Sequence, residues 1–152
     1  MRNAIVMVAG SVCLVACNQG PPPMPIKNFM AEKVQPTAQT YWDAVRFVSD
    51  ETGDHEIQPR TDAEWEKTRK AAEDLVAYGE LLKTDAYTEG RGEDWNQFAQ
   101  GMIDISRQAE QAAKDKSVDK VFEVGGTIYS VCSACHQVYP PAAGEVPVPA
   151  AS

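Results

Sequence analysis

Two cysteines and a histidine near the carboxyl end of the chain are the residues best suited to chemistry. Cys132, Cys135 and His136 stand in the order C-x-x-C-H. Side chains three and four positions apart lie on one face of a helix, so both thiols and the imidazole would project together. Two thiols so placed can join the two vinyl groups of a haem while the imidazole binds its iron. The motif therefore predicts one covalently attached haem c, with His136 as the proximal iron ligand.

Three other kinds of site use the same residue types. A structural zinc site needs about four Cys or His ligands. After removal of the secretory signal expected at residues 1–16, the further candidates are Cys17, expected to be acylated, and His55 in an acidic connection. A thioredoxin-like redox pair would lie at the start of a helix after a strand, whereas this pair falls near a predicted helix end. A plain disulfide between Cys132 and Cys135 would not require the adjacent histidine. Haem attachment is the favoured interpretation.

Four apolar stripes of helical period indicate the elements that position this motif, since each advances by steps of three and four. The stripes are Met30, Val34, Ala38, Tyr41, Val45, Val48; Trp65, Thr68, Ala72, Leu75, Gly79, Leu82; Trp95, Phe98, Met102, Ile105, Ala109, Ala112; and Val118, Val121, Gly125, Ile128, Cys132, Cys135. No stretch alternates with a period of two, so we expect no sheet. The prediction is an all-α, antiparallel up-down-up-down four-helix bundle. Gly125 and Gly126 would fit a haem in the core or a close helix contact.

Local signals mark the helix boundaries. Thr61 and Glu64 form a capping-box pattern at the start of the second helix, and Ser117 is a candidate cap for the fourth. Pro140 and Pro141 should end the fourth helix, and Pro36 should kink the first near its first turns.

Both ends of the chain are expected to lie outside the folded domain at residues 28–139. Residues 1–16 have the short apolar run of a secretory signal. Leu14-Val15-Ala16-Cys17 resembles the lipobox of bacterial lipoproteins, which implies cleavage before Cys17 and its acylation; ordinary cleavage with an unmodified Cys17 is the alternative. Residues 17–27 predict a proline-rich tether and residues 140–152 a disordered Pro/Ala tail. The lipobox implies anchoring on the periplasmic side of a bacterial membrane, and Asn18 favours the outer membrane.

Charge narrows the classes of partner. The chain has a formal net charge of −8, which argues against nucleic acid binding and favours a basic protein partner. No nucleophile motif, spare general base or phosphate-binding loop is present in the sequence, so we do not expect an enzyme.

The position of the haem motif resembles that in the cytochrome c-prime family, whose four-helix members carry it near the end of the last helix. Residues 124–139 match the last helix of that family, and residues 30–36 followed by Trp42-Asp43-Ala44 match its first helix. The resemblance covers about residues 28–139. Pro140 and Pro141 follow Tyr139, where family members often carry a basic residue.

The sixth ligand of the iron would decide the function. In an up-down bundle Met30 would lie at the same end as His136, whereas His55, on the first connection, would lie at the far end. Met102 falls further along the third helix, and Met24 lies in the tether. Met30 is thus the best thioether candidate, with a core methionine beside the haem as the alternative.

The resemblance implies two kinds of function. Family members with methionine at this point are similar to six-coordinate electron carriers, and those with a bulky aliphatic residue bind nitric oxide or carbon monoxide. Axial methionine and histidine close the iron to substrates, so electron transfer is the first expectation and gas binding the second; a regulatory haem lipoprotein that senses a ligand is the third. Arg91 could pair with a haem propionate, or be a solvated loop arginine. The implied partners are a periplasmic redox protein, the cytochrome c maturation machinery and a homodimer through the first two helices.

Overall fold

The structure, a computed structural model, describes residues 24–141. The predicted signal sequence, Cys17, the predicted tether up to residue 23 and the predicted tail from residue 142 lie outside the described residues. The described chain is mostly helical and contains a small two-stranded sheet. Among these residues, no helix combines the length and apolar character that crossing a membrane would need.

Helices and strands follow one another in a simple order. The first helical segment, residues 26–42, is continuous but changes its hydrogen-bonding pattern part-way. The elements in chain order are α1 (Ile26–Phe29), a π-helical turn (Met30–Val34), α2 (Gln35–Trp42), β1 (Arg46–Asp50), β2 (Gly53–Ile57), α3 (Asp62–Leu82), α4 (Asp85–Thr88), α5 (Glu93–Lys114) and α6 (Val118–Val138).

Proline in the first helical segment is accommodated by the π-helical turn. Pro36 lies in the first turn of α2, and just before it the backbone N–H of Gln35 donates to the carbonyl oxygen of Met30. This bond spans five residues, where an α-helix spans four, and such a widened turn is a known cause of helix bending. The irregularity expected at Pro36 is therefore a local change of helix type.

The capping box at the start of α3 is confirmed. The backbone N–H of Glu64 donates to Thr61 Oγ1 at 3.3 Å, and the Thr61 N–H donates to Glu64 Oε2 at 2.9 Å. Ser117 occupies the corresponding position before α6, but its side chain makes no capping hydrogen bond there. α6 ends at Val138, just before Pro140, as predicted.

The expectation of no sheet is wrong. The first helical segment ends at Trp42, and β1 and β2 form an antiparallel hairpin in which Arg46 lies opposite Ile57. The turn is closed locally, because the Asp50 carboxylate accepts hydrogen bonds from both the backbone N–H and the hydroxyl of Thr52. Gly53 follows with φ of +124°, which favours glycine.

The predicted stripes form most of the hydrophobic core. Every member of the second stripe is buried, and in the third stripe only Phe98 is partly exposed. Tyr41 is fully buried and its hydroxyl donates to the carbonyl oxygen of Ala109 at 3.3 Å. The core therefore lies between the faces that the helical period selects.

Contacts at both ends show that α3 and α5 run antiparallel. Lys116, just beyond α5, pairs with Asp62 at the start of α3 at 2.6 Å, and Lys83 beyond α3 donates to Gln100 at 2.6 Å. Between these ends the helices approach closely at Gly79, which is buried.

The first helical segment packs against α6 through a glycine. The indole Nε1 of Trp42 donates to the carbonyl oxygen of Gly125 at 2.9 Å. A Cβ at Gly125 would come within 3.3 Å of the Trp42 ring, whereas a Cβ at Gly126 would meet no heavy atom within 4 Å. Of the two explanations offered for these glycines, close helix packing accounts for Gly125.

Candidate functional site

The C-x-x-C-H residues occupy the last turns of α6. Cys132 and Cys135 are not joined by a disulfide and are both partly buried, in contact with the hydrophobic core, whereas His136 is exposed. Because α6 continues through all three, their side chains share one face of the helix. The site thus has two thiols at the border of the core and an imidazole at its rim. We call this end of the molecule the CxxCH end.

Burial controls the state of the two thiols. Burial, aided by the neighbouring Cys135, raises the pKa of Cys132 to about 11. Burial and the Asp94 carboxylate raise the pKa of Cys135, and the Arg91 guanidinium opposes that shift. Both thiols therefore hold their protons at neutral pH. Reactive C-x-x-C pairs instead have lowered thiol pKa values at helix starts, so this site lacks the electrostatics of a thiol-exchange centre.

Arg91 lies beside these cysteines and is held by two contacts. Its Nη1 donates to the carbonyl oxygen of Tyr87 at 2.6 Å, and its guanidinium carbon lies 4.3 Å from the centre of the Trp95 ring. The side chain is partly buried, and the cation–π contact orients it. Arg91 is thus a partly exposed loop arginine held by two contacts, and its pairing with a haem propionate stays a prediction.

Tyr139, the first residue after α6, fastens the CxxCH end to the start of α5. Its hydroxyl donates to Asp94 Oδ1 at 2.6 Å and accepts from the Gly92 N–H at 3.2 Å. Its ring packs edge-on against Trp95 with centroids 5.0 Å apart. The sequence pattern did not indicate a role for Tyr139 at the site. The signal available was an aromatic residue with a hydroxyl just before two prolines.

The beginning of the first helical segment reaches the same end of the molecule. The hydroxyl of Tyr87, in α4, donates to the carbonyl oxygen of Met24 at 2.9 Å, and the Tyr87 ring stacks on Phe29 with centroids 5.3 Å apart. Tyr87 also accepts the hydrogen bond from Arg91, which links these residues to Cys135. Met24 and the start of α1 are thus packed residues within the range expected for the tether.

The level of Met30 relative to His136 follows from the contact between Trp42 and Gly125. From that contact the helical rise gives about 18 Å back to Met30 along the first segment and about 17 Å forward to His136 along α6. Met24 precedes the first helical segment at the CxxCH end, and Trp42 ends that segment beside Gly125, so the segment and α6 run antiparallel. Met30 and His136 therefore lie at about the same level along the axis of α6. Met30 is partly buried and packs against the core.

Comparison with protein-family models, with curated proteins and with solved structures gives no match in any of the three.

The donor set at the CxxCH end suits a covalently bound haem. Among residues 24–141, no three His, Cys, Asp or Glu side chains come together as ligands of a metal ion. A covalent haem makes a different demand, namely two thiols and one imidazole on one helical face beside apolar side chains. Cys132, Cys135 and His136 meet that demand, and Met30 and Met24 supply thioethers at the same end.

The other candidate ligands lie elsewhere. His55 is exposed on β2, where its Nε2 lies 2.7 Å from the Thr52 hydroxyl. That hairpin contacts the start of α6 through Phe47 and Phe122, so His55 is at the opposite end from His136. Met102 is buried within α5.

The aromatic residues near α6 differ in their exposure. Tyr129 is 64% exposed and touches only the edge of Trp42 among the aromatic rings of the described chain. Trp42 itself is half-buried, while Trp65 and Trp95 are core residues as predicted.

Proposed function

We propose that this protein is a c-type cytochrome that transfers electrons through one haem attached at Cys132 and Cys135. The proposed architecture is an antiparallel up-down-up-down four-helix bundle. The antiparallel contacts of α3 with α5 and the packing of Trp42 on Gly125 support that arrangement. The observation that carries the proposal is the position of two free, core-facing thiols directly beside an exposed imidazole at the end of α6.

Each residue of the motif has a defined part. The sulfur of each cysteine would hold the haem through a bond to one vinyl carbon, with the thiol proton going to the other carbon of that vinyl, so attachment would need no oxidant. His136 provides a nitrogen ligand from the same helical face. Haem bound in this way supplies an iron centre that gains and loses one electron.

Met30 is the proposed sixth ligand. It lies level with His136 and is partly buried against the core, which suits a thioether that approaches from the first helical segment. A methionine and a histidine that held the iron together would raise its reduction potential and would close it to other ligands. Because neither side chain has to move for an electron to pass, the pair favours electron transfer over catalysis.

The proposed location is the periplasmic side of a bacterial membrane, with Cys17 as the lipid anchor. The lipobox before Cys17 supports it, and two or more acyl chains hold a protein stably on a bilayer. The net charge of −8 favours a redox partner with a basic docking surface.

Visible absorption spectra of the oxidised and reduced holoprotein, with and without carbon monoxide, test the sixth ligand. We expect low-spin spectra and no response to carbon monoxide in the parent protein, and a high-spin spectrum with immediate binding in Met30→Ala. Met24→Ala is the matched control, since Met24 is also a partly buried methionine at this end, and it should behave like the parent. If the parent protein binds carbon monoxide at once, the iron is open and gas binding replaces electron transfer.

A further inference from the structure

The chain enters the folded domain at the CxxCH end. Met24 is held there through its carbonyl oxygen by the Tyr87 hydroxyl at 2.9 Å. Five residues on, Phe29 is packed between Tyr87 and Tyr78, with ring centroids 5.3 Å from each. Phe29 is also buried, so the entry point is fixed to the domain by a hydrogen bond and by core packing.

The same residues connect the entry point to the cysteines. The carbonyl oxygen of Tyr87 accepts a hydrogen bond from Arg91 Nη1 at 2.6 Å. Arg91 stacks on the Trp95 ring, and the Tyr139 ring packs edge-on against the same ring. The backbone N–H of Tyr139 donates to the carbonyl oxygen of Cys135 at 2.8 Å. Met24 and the C-x-x-C-H motif therefore share one end of the molecule.

Covalent geometry limits the distance between this end and the lipid anchor. From Cys17 to Met24 a fully extended chain spans at most about 25 Å. α6 has 21 residues and is about 32 Å long, so its first turn lies farther from Met24 than the full reach of the tether.

We propose that the CxxCH end is the membrane-proximal end of the domain, so that the haem faces the bilayer that holds the anchor. This inference rests on the proposed acylation of Cys17 and on the proposed haem. It identifies the partner as a redox component embedded in, or held on, that same membrane, because such a component meets the haem end directly.

Electron paramagnetic resonance of the full acylated holoprotein on vesicles tests the orientation. The vesicles contain phosphatidylethanolamine, phosphatidylglycerol and a lipid with a nickel-chelating headgroup. A nitroxide is placed on Glu93→Cys at the CxxCH end or on Asp119→Cys at the opposite end, a matched pair of exposed acidic residues in the first turns of α5 and α6. Nickel lipid should increase the relaxation rate at residue 93 several-fold more than at residue 119.

A lengthened tether provides the internal control. Twenty Gly and Ser residues inserted between Pro23 and Met24 add a root-mean-square reach of about 25 Å, and should remove most of the difference between the two labels. Equal relaxation enhancement at both positions in the protein of native length, or a larger effect at residue 119, overturns the orientation. Failure of the protein to float with vesicles overturns the anchor, and with it the orientation.

The haem content of the same samples separates this inference from the proposed function. A denatured sample without covalently bound haem contradicts the cytochrome assignment and the claim that a haem faces the membrane. The relaxation difference between residues 93 and 119 still reports which end of the domain is membrane-proximal.

Discussion

Replacing Gly79 with alanine tests the close contact between α3 and α5. A Cβ at Gly79 would lie 2.5 Å from Ile103 Cγ1 and 3.3 Å from the carbonyl oxygen of Ala99. Ile103 is fully buried, and the Ala99 oxygen is part of the backbone of α5, so neither can swing into solvent. The added methyl group must therefore push α3 and α5 apart or force Ile103 out of its rotamer.

The expected loss of stability is the difference between two effects. Overpacking a well-packed core costs about 1–3 kcal/mol, and exchanging glycine for alanine inside a helix returns about 1 kcal/mol. Because a contact of 2.5 Å places the overpacking cost in the upper part of that range, about 2–3 kcal/mol, we expect Gly79→Ala to lower the unfolding free energy by about 1–2 kcal/mol and the melting temperature by several degrees. Circular dichroism at a helical wavelength measures both, on preparations of equal haem content.

Gly126→Ala is the matched control for this prediction. Gly126 also lies inside a helix, but it is exposed and a Cβ there would meet no heavy atom within 4 Å. It should gain about 0.5–1 kcal/mol from the better helix former. If Gly79→Ala is as stable as the parent protein, or gains stability as Gly126→Ala should, the close approach of α3 and α5 is refuted.

Three further predictions concern the capping box, acid stability and the end of α6. Thr61→Ala should lower the unfolding free energy by about 1 kcal/mol by removing the cap of α3, and Ser117→Ala, which removes no capping bond, should lower it clearly less. Urea titrations measure both unfolding free energies, and equal losses would contradict the capping geometry. The N–H of Arg60, with the hydroxyl and N–H of Thr61, lowers the pKa of Glu64. The stabilisation from ionised Glu64 is present at neutral pH and is lost as the pH falls below the usual range of Glu towards the lowered pKa. Thr61→Ala should therefore make the unfolding free energy depend less on pH in that acidic range. An unchanged slope of unfolding free energy against pH would contradict the role of the Thr61 hydroxyl. Tyr139→Phe keeps the ring but removes the hydroxyl bond to the start of α5, and should speed hydrogen exchange in the last turn of α6; unchanged exchange would show that the hydroxyl does not hold this end.

Long periodic segments were predictable from the sequence because a helix face repeats over many residues. The stripe from Trp65 to Leu82 is buried at every predicted position. The hairpin was missed because each strand has only five residues and apolar Phe47 and Val48 are adjacent, which gives no two-residue alternation. The signal that could have found it is the turn chemistry around Asp50 and Gly53.

The candidate site divides in the same way. The shared face of Cys132, Cys135 and His136 depends on local helix geometry alone and is found as predicted. Arg91 contacts Trp95 from a loop, and Tyr139 contacts Asp94, which is 45 residues away in sequence. Neither composition nor hydrophobic period indicates such contacts. Tertiary packing alone brings these groups to the cysteines.

Intact mass spectrometry of the exported protein tests the covalent haem most directly. The protein is denatured and extracted with acidified acetone, which removes haem that is not covalently bound, and is then weighed beside a variant carrying Cys132→Ser and Cys135→Ser. We predict the mass of the polypeptide plus one haem for the parent protein, and the loss of that increment in the variant. A parent protein that shows no haem increment after export in cells with an active haem-attachment machinery would contradict the account.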